Sequence, residues 1–259
     1  MNTIEIEFKE HVAVVRFNRP KANAINMDMV NNVRDTFLKL AESNTVDGVI
    51  LTSKGSIFSA GLDVVELYDY DEDKMIQFWE SFGRMLSELV AFPKPLIAAI
   101  NGHAPAGGCV FALCCDHRIM AYGKGKIGLN EVSVGVVVPE PIIEIARFAV
   151  GNHKASQMLF NGLLLNAGDA QDFGLIDEAC KEEELMLWAE TKLKKWMDMP
   201  REPWKRAKHS INRPLLEKLR AFTLEEAFGN TLNSWWEAEN RTQVGKLVKK
   251  LSGKSSISV

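Results

Sequence analysis

The sequence predicts an α/β protein with a mainly parallel sheet, followed by a helical carboxyl-terminal part. Two patterns support this class. Short apolar runs typical of buried strands alternate with amphipathic helical segments over the first 140 residues, and helical segments punctuated by Gly or Pro dominate after that. The length of 259 residues is sufficient for a sizeable buried core.

The first predicted elements are a β-hairpin and a helix. The runs TIEIEF (3–8) and VAVVRF (12–17) have the composition of strands and are separated by the short segment KEH. A helix is predicted over 27–43, because apolar residues recur there at helical spacing, at Met27, Val30, Val33, Phe37 and Leu40.

Two further strands and a helix complete the alternating part. The stretch VDGVILTS (46–53) predicts a short buried strand, and a helical segment runs from about residue 73 to 91. The stretch PKPLIAAING (93–102) predicts the next strand, which ends at an Asn-Gly turn signal. Strands that alternate with helices in this way favour parallel pairing.

Successive helices are predicted after residue 140. Their sequences are PEPIIEIARFAVG, HKASQMLFNG, NAGDAQDFG and KEEELMLWAETKLKKWMDMP, and only LIDEA (175–179) among them has the character of a strand. The last sixty residues also have a helical pattern, in which Trp204, Trp235 and Trp236 supply large apolar side chains. Such helices can pack on the chain's own core or on another subunit.

Composition and charge exclude several functional classes. Hydrophobic residues make up 46% and charged residues 25%, which are values typical of globular proteins. The formal charge of −3 provides no strong field for polyanions, so a nucleic-acid partner is not expected. The basic stretch 246–254 is short and is interpreted as a solvated tail.

Cysteine spacing indicates a reducing compartment, and neither a membrane span nor a targeting signal is predicted. The four cysteines (Cys109, Cys114, Cys115 and Cys180) lack the spacing of a disulfide framework, and with His117 they lack the spacing of familiar metal sites. The uncharged segment 95–115 is interrupted by polar residues, Pro and Gly, so no membrane span is predicted. The first residues resemble no targeting signal, and a cytoplasmic location is expected.

Two familiar motifs are matched only in part. GKGKIG (123–128) fits the dinucleotide-binding pattern, but a valine run and prolines follow it where a helix would be needed. IFSAG around Ser59 lacks the earlier glycine of a nucleophile elbow, which disfavours a serine hydrolase. Neither motif is therefore taken as a site.

Two glycine-containing turns followed by a carboxylate form a more specific pattern. IFSAGLD (57–63) and APAGGCVFALCCDHR (104–118) each follow a predicted strand, and Gly107 and Gly108 stand where a helix begins. The first amides of a helix have no intrahelical acceptor and can bind an oxyanion, and small residues let a ligand approach them. A tight turn would explain either one, but GLNE with Glu131 follows both.

These stretches, in this order, resemble the crotonase (enoyl-CoA hydratase/isomerase) superfamily. The resemblance covers the chain from the hairpin to about residue 179 and is most specific over 57–135. It implies a crotonase-like (ClpP/crotonase) spiral of β-β-α units over residues 1–200. Residues 201–259 would form a helical region for trimerisation and pocket closure. The expected assembly is a homotrimer, or a dimer of trimers.

The resemblance also implies an acyl-CoA thioester substrate and a set of site residues. By motif position, the backbone N–H groups of Ala60 and Gly107 would bind the thioester oxygen, and Glu131 would be the catalytic acid and base. No metal or redox cofactor is implied, because coenzyme A is part of the substrate. The remaining substrate or CoA contacts would be Lys21, Ala22, Ala24, Ser59, Leu62, Asp63 and Gly108, with Arg19 a weaker candidate.

The branch of the family depends on the number of carboxylates. Hydratases of this family carry a Glu at the position of Val110 as well as one at Glu131, and two carboxylates can hold and activate water. With one carboxylate only a proton is moved. The motifs PAGGC and GLNE are most similar to those of the 3,2-trans-enoyl-CoA isomerase branch. The resemblance therefore implies a double-bond isomerase of fatty-acid oxidation.

Two alternatives stay open on the sequence. Glu140, between Pro139 and Pro141, could be a second acid of a dienoyl-CoA isomerase or hydratase, or it could lie in the first turn of a helix. The chain could also be a non-catalytic acyl-CoA-binding scaffold. Trp79, Phe82 and Met85 stand at helical spacing where the family often lines its acyl pocket, although ordinary core packing is the stronger interpretation for any one of them.

Overall fold

The computed structural model describes residues 3–253 and shows two β-sheets surrounded by helices. The strands are β1 (Ile4–Lys9), β2 (Val12–Phe17), β3 (Gly48–Ser53), β4 (Leu96–Ile100), β5 (Ala104–Pro105), β6 (His117–Ala121), β7 (Ile127–Gly128) and β8 (Glu178–Cys180). The helices are α1 (Met27–Glu42), α2 (Val64–Leu67), α3 (Glu72–Val90), α4 (Gly107–Leu113), α5 (Glu140–Asn161), α6 (Ala167–Phe173), α7 (Leu185–Met197), α8 (Arg201–Ala221), α9 (Asn230–Trp236) and α10 (Ala238–Leu251).

The larger sheet has the order β1-β2-β3-β4-β6-β8. The hairpin β1–β2 is antiparallel and the other four pairings are parallel, as predicted. The predicted strand within LIDEA begins later, at Glu178, and extends to Cys180. Leu175 and Ile176 are instead buried in the connection that precedes it, which explains why this apolar pair resembled a strand.

Side chains of the central strands alternate between two cores. In β3, Val49 and Leu51 point into the large core with α1 and α3, whereas Ile50 points to the opposite face, where it meets the buried residues of α7. The α7 side is tightly packed, since a Cβ on Gly48 would lie 2.8 Å from Leu193 Cδ1. The sheet is therefore covered by helices on both faces, the usual condition of parallel strands.

The predicted helices are present with small changes in their bounds. The segments PEPIIEIARFAVG and HKASQMLFNG form the single element α5, which is interrupted at Gly151 by non-helical dihedral angles (φ 79°, ψ 157°). Asn26 caps α1, and its side chain accepts a hydrogen bond from the Met29 amide. Among residues 3–253, no helix has the length and apolar character needed to cross a membrane.

The C-terminal helices share the large core with the sheet. The buried members that they and the π-helical turn Glu225–Gly229 contribute are Leu215, Leu216, Leu219, Ala227, Phe228, Trp235 and Val244. Phe228 stacks on Trp79 of α3, with ring centroids 5.3 Å apart. A domain boundary near residue 200 stays a prediction, and residues 254–259 of the predicted helical region lie outside the described residues.

Candidate active site

Short parallel bridges place four loops side by side beyond the strands of the large sheet. Ile25 pairs with Leu62, Ile57 with His103, and β5 with β7. These pairings join four segments into one row next to the large sheet. The segments are the loop before α1, the turn after β3, the start of α4 and the segment that carries Glu131. The predicted site motifs thus lie on neighbouring segments.

The turn at residues 57–63 corrects one predicted role. The backbone N–H of Ala60 donates to the carbonyl of Ala22 at 3.0 Å, so it is already bonded and cannot serve as a free oxyanion donor. The Leu62 amide, two residues later, has no acceptor among residues 3–253. The prediction for Ala60 is therefore wrong, and the amide of this turn that is left without an acceptor follows Gly61, whose φ of 81° is left-handed.

The second turn brings the first amide of α4 close to this position. Gly107 is the first residue of α4, and its N–H has no acceptor among residues 3–253. A Cβ placed on Gly61 would lie 3.1 Å from the Gly107 nitrogen, so the two turns are in contact. The amides of Leu62 and Gly107 that have no acceptor within residues 3–253 therefore come from adjoining turns.

Ser59 and Gly108 have structural roles in the site, and the predicted substrate contacts of both stay predictions. Ser59 is fully buried, and its hydroxyl donates to the Asn23 carbonyl at 2.8 Å. A Cβ on Gly108 would lie 2.3 Å from the Ser59 carbonyl oxygen, so only glycine permits this approach of α4 to the turn. Both residues fix the distance between the two turns.

Asp63 is likewise engaged within the protein. Its Oδ1 accepts a hydrogen bond from the Glu66 amide at the start of α2, and its Oδ2 forms a 2.7 Å ion pair with Arg19. Both oxygens thus have partners within the chain itself, and the predicted substrate contact of Asp63 stays a prediction. Arg19 also pairs with the Glu66 carboxylate at 3.1 Å, so its guanidinium contacts two acidic side chains of the chain.

The loop predicted to contact CoA has a strained backbone held by Asn23. Lys21, Ala22 and Asn23 all have positive φ (69°, 140° and 52°), which is uncommon for residues other than glycine. Asn23 is buried and donates to the Ile57 carbonyl at 2.8 Å, which binds the loop to the turn after β3. Lys21 is exposed, and its ammonium has no carboxylate partner among residues 3–253.

Ala22 and Ala24 contribute to the loop through their carbonyl groups. The Ala22 carbonyl accepts from Ala60, and the Ala24 carbonyl accepts from Arg19 at 3.1 Å. Both alanines are partly exposed, so their methyl groups are available to a ligand. Their predicted contact with CoA stays a prediction.

Glu131 is a buried carboxyl group with an oxygen that has no partner. The residue is 7% exposed, and its Oε2 makes no hydrogen bond within residues 3–253. Its carbonyl accepts from Val134 and Val136, both at 3.0 Å, which fixes the backbone around the 3₁₀ turn Val132–Val134. Burial raises the pKa of Glu131 from 4.5 to about 7, and only its own backbone N–H lowers it again. At neutral pH this group can both accept and release a proton.

The position of a second carboxylate is apolar. Val110 lies fully buried in α4, one turn after Gly107. Glu140 is partly buried and is the first residue of α5, directly after Pro139 as the N-cap and before Pro141. This position agrees with the second alternative for Glu140, a place in the first turn of a helix, where a negative charge is favourable. A role in catalysis for Glu140 stays a prediction.

The aromatic residues proposed for the acyl pocket belong to the core. Trp79, Phe82 and Met85 of α3 are almost completely buried, and Trp79 and Phe82 contact each other edge to face at 5.7 Å. The structure therefore favours the core-packing alternative for all three. The cysteines are buried as well, with thiol pKa values raised by burial, and the stretch GKGKIG ends in strand β7 rather than opening a helix.

A contact of α10 with the site was not foreseen. The Arg241 guanidinium lies 3.6 Å from the ring centroid of Tyr68, at the end of α2, and donates to the Tyr68 carbonyl at 3.1 Å. On its other side α10 approaches Gly135, where an added Cβ would meet Gln243 Oε1 at 2.5 Å. The helix thus touches both the segment after Leu62 and the segment after Glu131. No motif in the sequence indicates this contact.

Comparisons with known proteins show the family to which this chain belongs. The sequence pattern of the family described as enoyl-CoA hydratase/isomerase matches residues 7–234. The mitochondrial enoyl-CoA delta isomerase 1 of Mus musculus is 34% identical over 199 residues, which is 76% of this chain and 69% of the mouse protein. A crotonyl-CoA hydratase from Syntrophomonas wolfei is 33% identical over 185 residues, 71% of each chain.

Solved structures show the same fold. The crystal structure of human mitochondrial delta3-delta2-enoyl-CoA isomerase has a TM-score of 0.93 with 26% identity, and the match covers 98% of this chain and 100% of the human one. An enoyl-CoA hydratase/isomerase from Mycobacterium paratuberculosis has a TM-score of 0.85, with 95% and 98% covered. The predicted crotonase fold is confirmed, and the chain belongs to the enoyl-CoA hydratase/isomerase family.

Proposed function

We propose that the chain moves the double bond of a 3-enoyl-CoA thioester to the trans-2 position, with Glu131 as the single acid and base. The observation that carries this proposal is the buried Glu131 carboxyl, whose pKa is raised to about 7 and whose Oε2 has no partner within residues 3–253. Val110 occupies the place of a second carboxylate. The names of the mouse and human relatives support the same activity.

The first step is removal of a proton from C2 of the substrate. The Glu131 carboxylate takes this proton, and the electron pair of the broken C–H bond spreads over the dienolate to the thioester oxygen. The N–H groups of Leu62 and Gly107 would donate to this oxygen as its charge grows. Each such donor can stabilise the transition state by about 3–4 kcal/mol, which compensates for the weak basicity of a carboxylate.

The second step returns the same proton at C4. The Glu131 carboxylic acid donates to C4, the dienolate collapses, and the double bond is then conjugated with the thioester carbonyl. The raised pKa of Glu131 makes its carboxylate a better base in the first step, and neutral pH keeps both forms accessible. Addition of water would need a second polar group to hold it, and the Val110 side chain offers none.

The CoA portion of the substrate would meet the loop before α1. Lys21 is exposed and has no carboxylate partner within residues 3–253, so its ammonium is available to a phosphate group. The reaction transfers a proton within one molecule and needs no electron acceptor. The homotrimer, or dimer of trimers, implied by the family resemblance is retained as part of the proposal.

Replacement of Glu131 by Gln tests the proposal. The wild type should convert 3-hexenoyl-CoA into a conjugated product that absorbs in the ultraviolet, and Glu131→Gln should lower this rate about 10²- to 10⁴-fold while still binding the thioester. The matched control is Glu140→Gln, which changes a carboxyl at a helix start and should keep most of the activity.

The same assay separates the alternatives. Loss of absorbance from trans-2-hexenoyl-CoA would show hydration, the activity named in the Syntrophomonas relative, and would contradict the isomerase proposal. Equal damage from the Glu131 and Glu140 changes would indicate a two-carboxylate mechanism. Binding of the thioester without turnover in the wild type would indicate a non-catalytic acyl-CoA-binding protein.

A further inference from the structure

The direction of the Leu62 amide is set by the loop before α1. The Ile25 amide donates to the Gly61 carbonyl at 2.8 Å, and the Asp63 amide donates to the Ile25 carbonyl at 2.9 Å. These two bonds hold the peptide groups on either side of Leu62. The Leu62 N–H therefore points to the opposite side, and any movement of the loop would turn it.

Arg19 joins this loop to the start of α2 through three contacts. Its Nη1 donates to the Ala24 carbonyl at 3.1 Å and pairs with Asp63 Oδ2 at 2.7 Å, while Nη2 donates to Glu66 Oε2 at 3.1 Å. The Arg19 side chain is only 18% exposed, so these contacts are partly shielded from water and from salt.

The two acids that Arg19 binds are the residues that fix α2. Asp63 follows Leu62 directly and caps α2 by accepting from the Glu66 amide at 3.1 Å. Glu66 accepts from Asn26 and Tyr70 as well, both at 2.8 Å. Arg19 is thus the cation of a network that begins one residue after the proposed oxyanion donor.

These contacts engage Arg19 within the protein, which favours a structural task over the role of a CoA ligand. A phosphate group that drew the Arg19 guanidinium away from Asp63 would leave a partly buried carboxylate without its partner. Lys21, two residues later, is exposed and has no such partner within residues 3–253. The two cations of this loop therefore have different tasks.

We infer that Arg19 is a positioning residue, which holds the Leu62 N–H in the oxyanion hole through its bridge between Ala24, Asp63 and Glu66. This inference rests on the proposed function. Arg19 thus contributes to stabilisation of the transition state through the Leu62 N–H, although it touches no reacting atom. CoA is bound by other groups. A lysine cannot replace it, since one ammonium lacks the planar fork that reaches several acceptors at once.

Arg19→Lys, compared with Arg16→Lys, tests the inference. Arg16 is a matched control because its side chain is 20% exposed and pairs at 2.8 Å with Glu7 of β1, which contributes no residue to the site. With 3-hexenoyl-CoA, Arg19→Lys should lower kcat by roughly tenfold or more with KM changed less than about threefold, because an interaction specific to the transition state is lost. Arg16→Lys should leave both constants unchanged.

A spectroscopic measurement reports the oxyanion hole directly. In the Glu131→Gln background, bound 2,4-hexadienoyl-CoA should absorb at longer wavelength than the free thioester, since two N–H donors polarise its carbonyl group. Addition of Arg19→Lys should reduce this red shift, and Arg16→Lys should not. Asp63→Asn, which keeps the capping oxygen but loses the charge, should reduce the shift as well and provides a second route if Arg19→Lys does not fold.

The outcomes distinguish the two proposals. A raised KM with unchanged kcat and an unchanged red shift in Arg19→Lys would identify Arg19 as a CoA ligand and overturn the inference. An unchanged red shift in Asp63→Asn would also overturn it. If the wild type neither turns over 3-hexenoyl-CoA nor binds the dienoyl thioester, the proposed function itself fails.

Discussion

Glu131 determines how the protein should respond to pH. Its pKa is raised to about 7 by burial, and the base of the proposed reaction is its ionised form. We expect kcat/KM for 3-hexenoyl-CoA to rise with pH through about 7 and then level off, because kcat/KM reports the free enzyme. A plateau that extends down to pH 5 would contradict the assignment of Glu131 as base.

The same titration should appear in stability. In the unfolded chain this carboxyl would titrate near its ordinary pKa of 4.5, so between pH 4.5 and 7 the folded state binds the proton more tightly. Stability should therefore fall as pH rises through this window, by up to about 3 kcal/mol. Thermal melts of the wild type at pH 5 and 8, compared with Glu131→Gln, measure the difference, which the variant should lack.

Residue identity in the motifs was predictable, but the direction of each amide was not. Glu131 and Gly107 could be selected because a carboxylate after two glycine turns is an uncommon pattern. The choice of Ala60 failed because the chain satisfies its amide with the Ala22 carbonyl, a contact between segments almost forty residues apart. The sequence does not show the ion pairs of Arg19, because its two acidic partners, Asp63 and Glu66, are distant in sequence.

At the scale of the elements, glycines decide how closely two segments approach. Gly108 and Gly168 are both the second residue of a seven-residue helix, α4 and α6. A Cβ on Gly108 would lie 2.3 Å from the Ser59 carbonyl oxygen, whereas one on Gly168 would meet nothing nearer than Asn166 Oδ1 at 3.5 Å. Replacement of each glycine by alanine therefore compares a position where a side chain would clash with one where only helix propensity changes.

Gly108→Ala should lower the free energy of unfolding by about 1–3 kcal/mol, because the clash forces α4 away from the turn. Activity should fall as well, since the Gly107 amide moves with α4. Gly168→Ala should raise stability by up to about 1 kcal/mol, because alanine favours the helix. Chemical denaturation and the 3-hexenoyl-CoA assay measure both variants, and equal stabilities would show that the approach of α4 to Ser59 is not needed.

Element types were largely predictable, since strand and helix periodicities extend over several residues. The apolar pair Leu175–Ile176 predicts a strand wrongly, because so short a run has no periodicity of its own. In the structure both side chains enter the core before β8 begins at Glu178. Such a boundary depends on which backbone groups β6 leaves available for pairing, and this is decided by tertiary structure.

On the scale of the whole molecule, the C-terminal helices are part of the core that supports the site. Phe228 fills the space beside Gly83 and stacks on Trp79, and α10 reaches back to Tyr68 at the end of α2. The sequence predicted helices here but could not show their partners, because amphipathic helices pack equally well on the chain's own core or on another subunit. The observed contacts show that one face of these helices packs on the chain's own core, and their role in trimerisation stays a prediction.

Phe228→Ala tests this dependence. Loss of a buried phenylalanine should lower stability by about 3–5 kcal/mol, because the cavity at Trp79 cannot be filled by its neighbours. Phe8→Ala removes a ring that is 61% exposed on β1 and should change stability by less than about 0.5 kcal/mol. Denaturant unfolding followed by tryptophan fluorescence compares the two. A shared core should give one cooperative unfolding transition of Phe228→Ala at a lower denaturant concentration. A separate first transition, in which only the C-terminal helices unfold, would show instead that these helices form an independent unit.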